Sequence, residues 1–285
     1  MKSSILLTVA GVFLATSIFS QDLPKPSPHA KVEQRVGLTD ISVEYSRPSV
    51  KGRQIWGDLV PFDQLWRAGA NKATLFTTST EIKINGEILP AGTYSFFILP
   101  SDHLGWEFIF NTETELWGTG EYNQEKDQLR IMAETVPAME FKEGLEYSFD
   151  HINDDGAELI MEWEMMKAMV RIEVDAHQQA LTNIKAAIDE SDKENLWKVY
   201  RNAAAYARDK GNMTTDGLTW IQESVKLKDN WYSYWVYADL LAQNKDYSGA
   251  IEKAKKAISF GKADDPKFSY EERINTDINK WKASK

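Results

Sequence analysis

The chain has no cysteine and only four histidines in 285 residues. The first absence excludes a disulfide framework, a thiolate metal site, a cysteine nucleophile and lipid attachment through cysteine. The histidines, His29, His103, His151 and His177, share no ligand spacing, and no Walker loop, G-x-S-x-G or H-E-x-x-H run occurs, so no metal and no cofactor is expected. Positive charge is scarce as well. With 33 Lys and Arg against 43 Asp and Glu, the formal charge is −10, which argues against a nucleic-acid surface. Long apolar runs are missing beyond the first twenty residues. There, Lys2 precedes an apolar stretch from Ile5 to Phe19, shorter than the roughly 20 residues of a membrane span. Ser17 and Ser20 are the small residues before a cut at Gln21, so residues 1–20 read as a secretory signal peptide. The remainder is expected to be exported to the periplasm or surface of a bacterium, with no membrane span after cleavage.

What is present divides by period. Residues 21–30 hold Pro24, Pro26 and Pro28, a stiff lead-in. From 31 to 174 apolar residues alternate: Ile41, Val43 and Tyr45; Ile82 and Ile84; Leu145, Tyr147 and Phe149; Leu159, Met161 and Trp163; Val170, Ile172 and Val174. Such alternation marks half-buried strands. Thr93 to Leu99 is apolar on both parities and predicts a central strand covered on both faces, with Trp106 to Phe110 beside it. Asn85-Gly86 and Asp155-Gly156 each suit a tight hairpin turn. About nine strands without intervening helices predict an antiparallel β-sandwich.

From 175 to 285 the period becomes 3.6, giving an α+β chain with a C-terminal helical module. Ser191-Asp192-Lys193-Glu194 reads as a capping box, and Asp265-Pro266 as the start of the last helix. Gly217, Ile221 and Ser224 recur 33 residues later as Ala250, Ala254 and Ala257. With Tyr234, Ala238 and Leu241 this segment resembles the tetratricopeptide repeat, which places small residues where paired helices cross. It departs from that pattern in lacking the closing proline, Lys262 standing there, and in offering two units where a free solenoid needs about three. Generic helical hairpins are the other reading. The run Trp231 to Tyr237 is aromatic all round a helix, and leaves Tyr232 and Trp235 as candidate contacts for a partner.

One segment lacks periodicity. Glu44 to Thr74 carries Arg47, Arg53 and Arg67, three of the nine arginines, together with Trp56, Trp66 and Asn71. Irregular segments of such length are functional or disordered, and this composition is wrong for disorder. The planar fork of arginine suits carboxylate, phosphate or sulfate, while tryptophan offers a face for a guanidinium or a sugar ring. Arg47, Arg53, Trp56, Trp66, Arg67 and Asn71 are therefore candidates to bind a polar or anionic ligand. The plainer alternative has the arginines satisfying loop carbonyls and carboxylates, with Arg67 tying the segment down, while the tryptophans fill the core.

The same segment, with Ser27-Pro28, Gln34, Gly37, Gly92-Thr93-Tyr94 and Ile109-Phe110-Asn111, resembles an exported bacterial family known as domain of unknown function 2911. The resemblance spans about Pro24 to Val174. It implies one module with the helices appended, and carries over no catalytic residue.

Other motifs point to no chemistry. His151 to Glu162 matches calcium-loop spacing only in part, and a hairpin turn explains it; Gly118-Thr119-Gly120 is a turn. Glu113, Glu115 and Glu121 flank Trp117, a pattern seen at glycan sites and in solvated loops alike. The sequence thus predicts a non-enzymatic binding protein whose partner is a polar or anionic ligand or an envelope protein. A glycan-directed hydrolase or isomerase using the same cleft and a purely structural envelope component are the alternatives.

Overall fold

A computed structural model describes residues 23–103 and 105–284, so the expected signal peptide lies outside the described residues. The chain divides between Val174 and Asp175 into two compact units. This is where the apolar period changes.

In the first unit, alternation produces strands. They are β1 (His29–Val36), β2 (Thr39–Ser46), β3 (Thr74–Thr78), β4 (Ile82–Ile84), β5 (Glu87–Leu89), β6 (Gly92–Leu99), β7 (Trp106–Asn111), β8 (Asp127–Asn153) and β9 (Gly156–Glu173). All pair antiparallel in the order β1-β2-β3-β6-β7-β8-β9-β4-β5. In β2, Ile41, Val43 and Tyr45 turn inward while Ser42 and Glu44 are half-buried. In β6, Tyr94 to Ile98 are all buried. Phe96 packs against Phe108 and Phe110, and Phe97 on the opposite face joins Ala73, Ile109 and Leu116. The Asn85-Gly86 turn joins β4 to β5 with both residues at positive φ, 48° and 89°. The second hairpin turns one residue earlier than expected. Asp154 and Asp155 form it, the Asn153 side chain accepting from the Asp155 N–H, and Gly156 pairs with Asn153 in the ladder.

The sandwich takes a form that the sequence did not suggest. A straight strand from Asp155 to Val174 would run about 60 Å at roughly 3.3 Å per residue. Yet the Val174 N–H donates to the Asp155 carbonyl at 2.9 Å. The β8–β9 hairpin must therefore fold back on itself. It does so where register shifts interrupt β8 between Pro137 and Glu146 and where Glu164 in β9 takes φ 56°. The folded half brings Tyr147 against Phe96 and Tyr45, with ring centroids 6.1 and 4.8 Å apart. The second layer is thus built on the far half of one hairpin, with β4 and β5 added along β9, and the short runs at 159–163 and 170–172 belong to a single bent strand.

The second unit holds α1 (Ala176–Glu190), α2 (Leu196–Lys210), α3 (Thr214–Leu227), α4 (Trp231–Gln243), α5 (Tyr247–Asp264) and α6 (Glu271–Ala283). Ala204, Ala207, Gly217, Ala238, Ala250, Ala254 and Ala257 are buried where helices cross. Two start signals read differently. Asp192 accepts from the Asn195 N–H, folding residues 192–195 into a turn, and α2 begins only at Leu196. Asp265 likewise closes a turn by accepting from Lys267, because α5 runs on to Asp264 and α6 starts at Glu271. Among the described residues no helix is long and apolar enough to cross a membrane.

Candidate functional site

The irregular segment between β2 and β3 is ordered by anchors to strands on both layers. Val50 N–H donates to Glu143 and Leu145 N–H to Pro48, while Trp66 and Ile98 exchange two backbone hydrogen bonds of 2.8 Å each. Ile55, Val60 and Ala68 are buried. Ala68 holds φ 55°, which costs about 1–2 kcal/mol for a residue with a Cβ. Its carbonyl accepts from both the Thr74 and the buried Tyr147 hydroxyls at 2.9 and 2.7 Å. Burial pushes the Tyr147 phenol well above its ordinary value, so it stays a neutral donor.

The segment's tryptophans and arginines part company. Trp56 is only 7% exposed, and its indole N–H donates to the Trp163 carbonyl. It sits among Trp66, Trp106 and Trp163, with ring centroids 5.6, 4.4 and 5.9 Å away. Trp56 is therefore core and offers no ligand face. Trp66 is half-buried, stacked on Trp163 at 5.7 Å, its N–H donating to the Gly69 carbonyl. Arg47 is neutralised by Glu146 at 3.1 Å. Arg53 donates to the carbonyls of Val50 and Ser49 at 3.0 and 2.6 Å. Both acceptors lie within the segment itself, so its fork closes a local turn, and Arg67 makes no comparable tie among the described residues. Asn71, at φ 59°, donates to the Ser46 hydroxyl. Among the described residues none of the three arginines lies over an indole face.

Arg67 differs from the other two. Its Nε is buried without a hydrogen-bond partner, and no carboxylate pairs with it among the described residues. The guanidinium lines a cleft of about 310 Å³ together with Arg53, Gln64, Trp66, Thr119 and Trp163. Gly118, at φ 85°, passes so close that a Cβ there would lie 3.3 Å from an Arg67 terminal nitrogen. A side chain at 118 would crowd the guanidinium that glycine leaves open. The cleft draws Arg53, Trp66 and Arg67 together. Asn71 lines a second cleft of about 390 Å³, while Arg47 and Trp56 border neither.

The lining of the first cleft contains no carboxylate and no imidazole among the described residues. His103 and His151 pair separately, with Asp102 and Glu158. No group of three or more His, Asp or Glu able to hold a metal occurs among the described residues. Trp117 and Gly118 were the residues that sequence reasoning underused. The signal was a tryptophan beside a glycine turn, without the alternation that places the other tryptophans in strands.

In the second unit, Trp235 is 6% exposed, packed on Trp231 and Tyr270 with Arg273 over its ring at 4.9 Å. It is core rather than a contact surface. Tyr232 is half-buried between Arg201 and Arg208, at 5.5 and 5.9 Å.

The model of a family described as "Protein of unknown function (DUF2911)" matches residues 27–172. No curated protein and no solved structure matches the chain.

Proposed function

This chain belongs to the DUF2911 family, and from that footing we propose that it is an exported, non-enzymatic binding protein whose first unit takes an anionic ligand in the Arg67 cleft. The observation that carries this reading is the unpartnered guanidinium of Arg67, held open beside Gly118 in a concave site. An anion with two oxygens would meet the terminal nitrogens of Arg67 in a bidentate, charge-assisted contact, which is roughly twice as strong as a neutral hydrogen bond. The signal-like residues 1–20 are what support export.

The helical unit serves in this reading as a tetratricopeptide-like interaction module. Its support is the 33-residue recurrence of small buried residues, Gly217 with Ala250 and Ser224 with Ala257, at the helix crossings.

The test is a thermal-shift panel on the full chain with sulfate, carboxylated and neutral sugars. Anionic compounds should raise the midpoint, added sodium chloride should suppress the rise, and Arg67→Gln should remove it. A flat response across the panel would overturn the anion-cleft reading.

A further inference from the structure

Four of the five tryptophans of the first unit form the cluster around Trp56, while the fifth, Trp117, is 67% exposed. It does not stand on a convex surface. It lines the second cleft, beside Ser46, Asn71, His29, Lys25 and Lys72. The two clefts adjoin along the chain. Gly69 and Ala70 border the first and Asn71 to Ala73 the second; Thr119 borders the first and Trp117 the second; Ser27 borders both. The Ala73 N–H donates to the Leu116 carbonyl at 3.0 Å, fixing the two strips of chain side by side.

The lining of this pair of clefts carries a charge opposite to that of the whole chain, although Glu113, Glu115 and Glu121 flank Trp117 along the sequence. On a protein of formal charge −10, the lining carries Lys25, Arg53, Arg67 and Lys72 against Glu44 among the described residues. Lys72 is paired with Glu115, and Arg53 with carbonyls, which leaves Arg67 and Lys25 for a ligand. Gly118 is the next residue after Trp117, and consecutive Cα atoms lie about 3.8 Å apart. The Trp117 backbone is therefore within about 9 Å of the Arg67 guanidinium.

We infer that the two clefts form one groove for a carboxylated oligosaccharide, with a sugar ring stacked on Trp117 and a carboxylate on Arg67. A pyranose ring presents a flat row of C–H groups, partially positive, that matches the negative face of an indole. Its hydroxyls find the side chains of Asn71, Ser46 and His29 around that indole. The fork of arginine matches a uronate-type carboxylate bidentately. With the Trp117 backbone within about 9 Å of the Arg67 guanidinium, one oligosaccharide chain can reach both groups. This inference rests on the Arg67 cleft being an anion site, and adds the aromatic subsite and the ligand class.

The experiment is isothermal titration of the full chain with oligogalacturonate, neutral chito-oligosaccharide and inorganic sulfate, using wild type, Trp117→Ala and Arg67→Gln. Trp117 is exposed, so its removal leaves the core packing untouched. Trp117→Ala should weaken oligogalacturonate by about tenfold or more while leaving sulfate unchanged. Arg67→Gln should weaken both, and bring oligogalacturonate down to the affinity of the neutral sugar. Sulfate binding with no gain for oligogalacturonate, or a Trp117→Ala variant that binds it as wild type does, overturns the glycan inference and leaves the anion cleft standing. Failure of every anion overturns both.

Discussion

Moving one methyl group across the α2–α3 crossing tests whether the small-residue pattern is what brings the helices together. A Cβ at Gly217 would lie 2.9 Å from the Ala207 Cβ and 2.7 Å from the Leu240 Cδ2. Gly217→Ala gains about 1 kcal/mol of helix propensity but overpacks the crossing at a cost of about 1–3 kcal/mol, a net loss near 1. Ala207→Gly loses about 1 kcal/mol of propensity and about 0.8 kcal/mol of buried methyl. Added together, the two changes should cost about 3 kcal/mol. In the swapped variant the propensities cancel, total volume is kept, and only the mobile end of Leu240 must move, so the expected loss is about 1 kcal/mol. The coupling is then about 2 kcal/mol, within the range for residues in contact. Urea titration followed by far-UV circular dichroism, or a thermal midpoint moving by several degrees per kcal/mol, reads it out. Additivity of the two changes, or a Gly217→Ala variant more stable than wild type, would refute the close approach as the reason for glycine.

Two further perturbations follow from the arrangement of charge. Arg53→Ala should lower the thermal midpoint of the first unit by the equivalent of about 1–2 kcal/mol, since two carbonyl contacts are lost. Arg67→Ala should cost less, because it also removes a buried N–H that has no partner; equal losses would show that Arg67 has a tie of its own. In the helical unit, burial, opposed by Arg208 and reinforced by Asp277, raises the Asp239 carboxyl to about 6. A folded value above the unfolded one near 4 means that the folded state holds the proton more tightly. Its favourable contribution is full below about pH 4 and fades by about pH 6, a loss of about 1–3 kcal/mol. Urea midpoints taken across that window should fall in wild type and stay flatter in Asp239→Asn. Parallel slopes for the two proteins would contradict this assignment.

Most of the strands were legible because each apolar residue of a half-buried strand has to face the core, and the alternation of Ile41, Val43 and Tyr45 records that directly. The fold-back of β8 and β9 was not, because alternation continues on either side of a bulge and carries no sign of the bend between. Glu164 holds φ 56° with no glycine to announce it. The helix starts failed for a related reason. Asp192 and Asp265 close local turns with the same side-chain acceptors that cap helices, and sequence does not separate the two uses. At the candidate site, the arginine cluster singled out a segment that lines a cleft, but only packing could tell Trp56 inside the core from Trp117 outside it.

The bent hairpin also has a consequence for assembly. Trp66 sits early in the chain and Trp163 late, yet they stack to form one wall of the cleft. Closing so long a loop carries an entropic cost that only the completed contact returns, so this wall is expected to form late in folding. A chain that stalls before β9 docks would hold most of its sheet and no cleft. Ligand competence would then serve as a readout of complete folding, lagging the appearance of β-structure after dilution from denaturant.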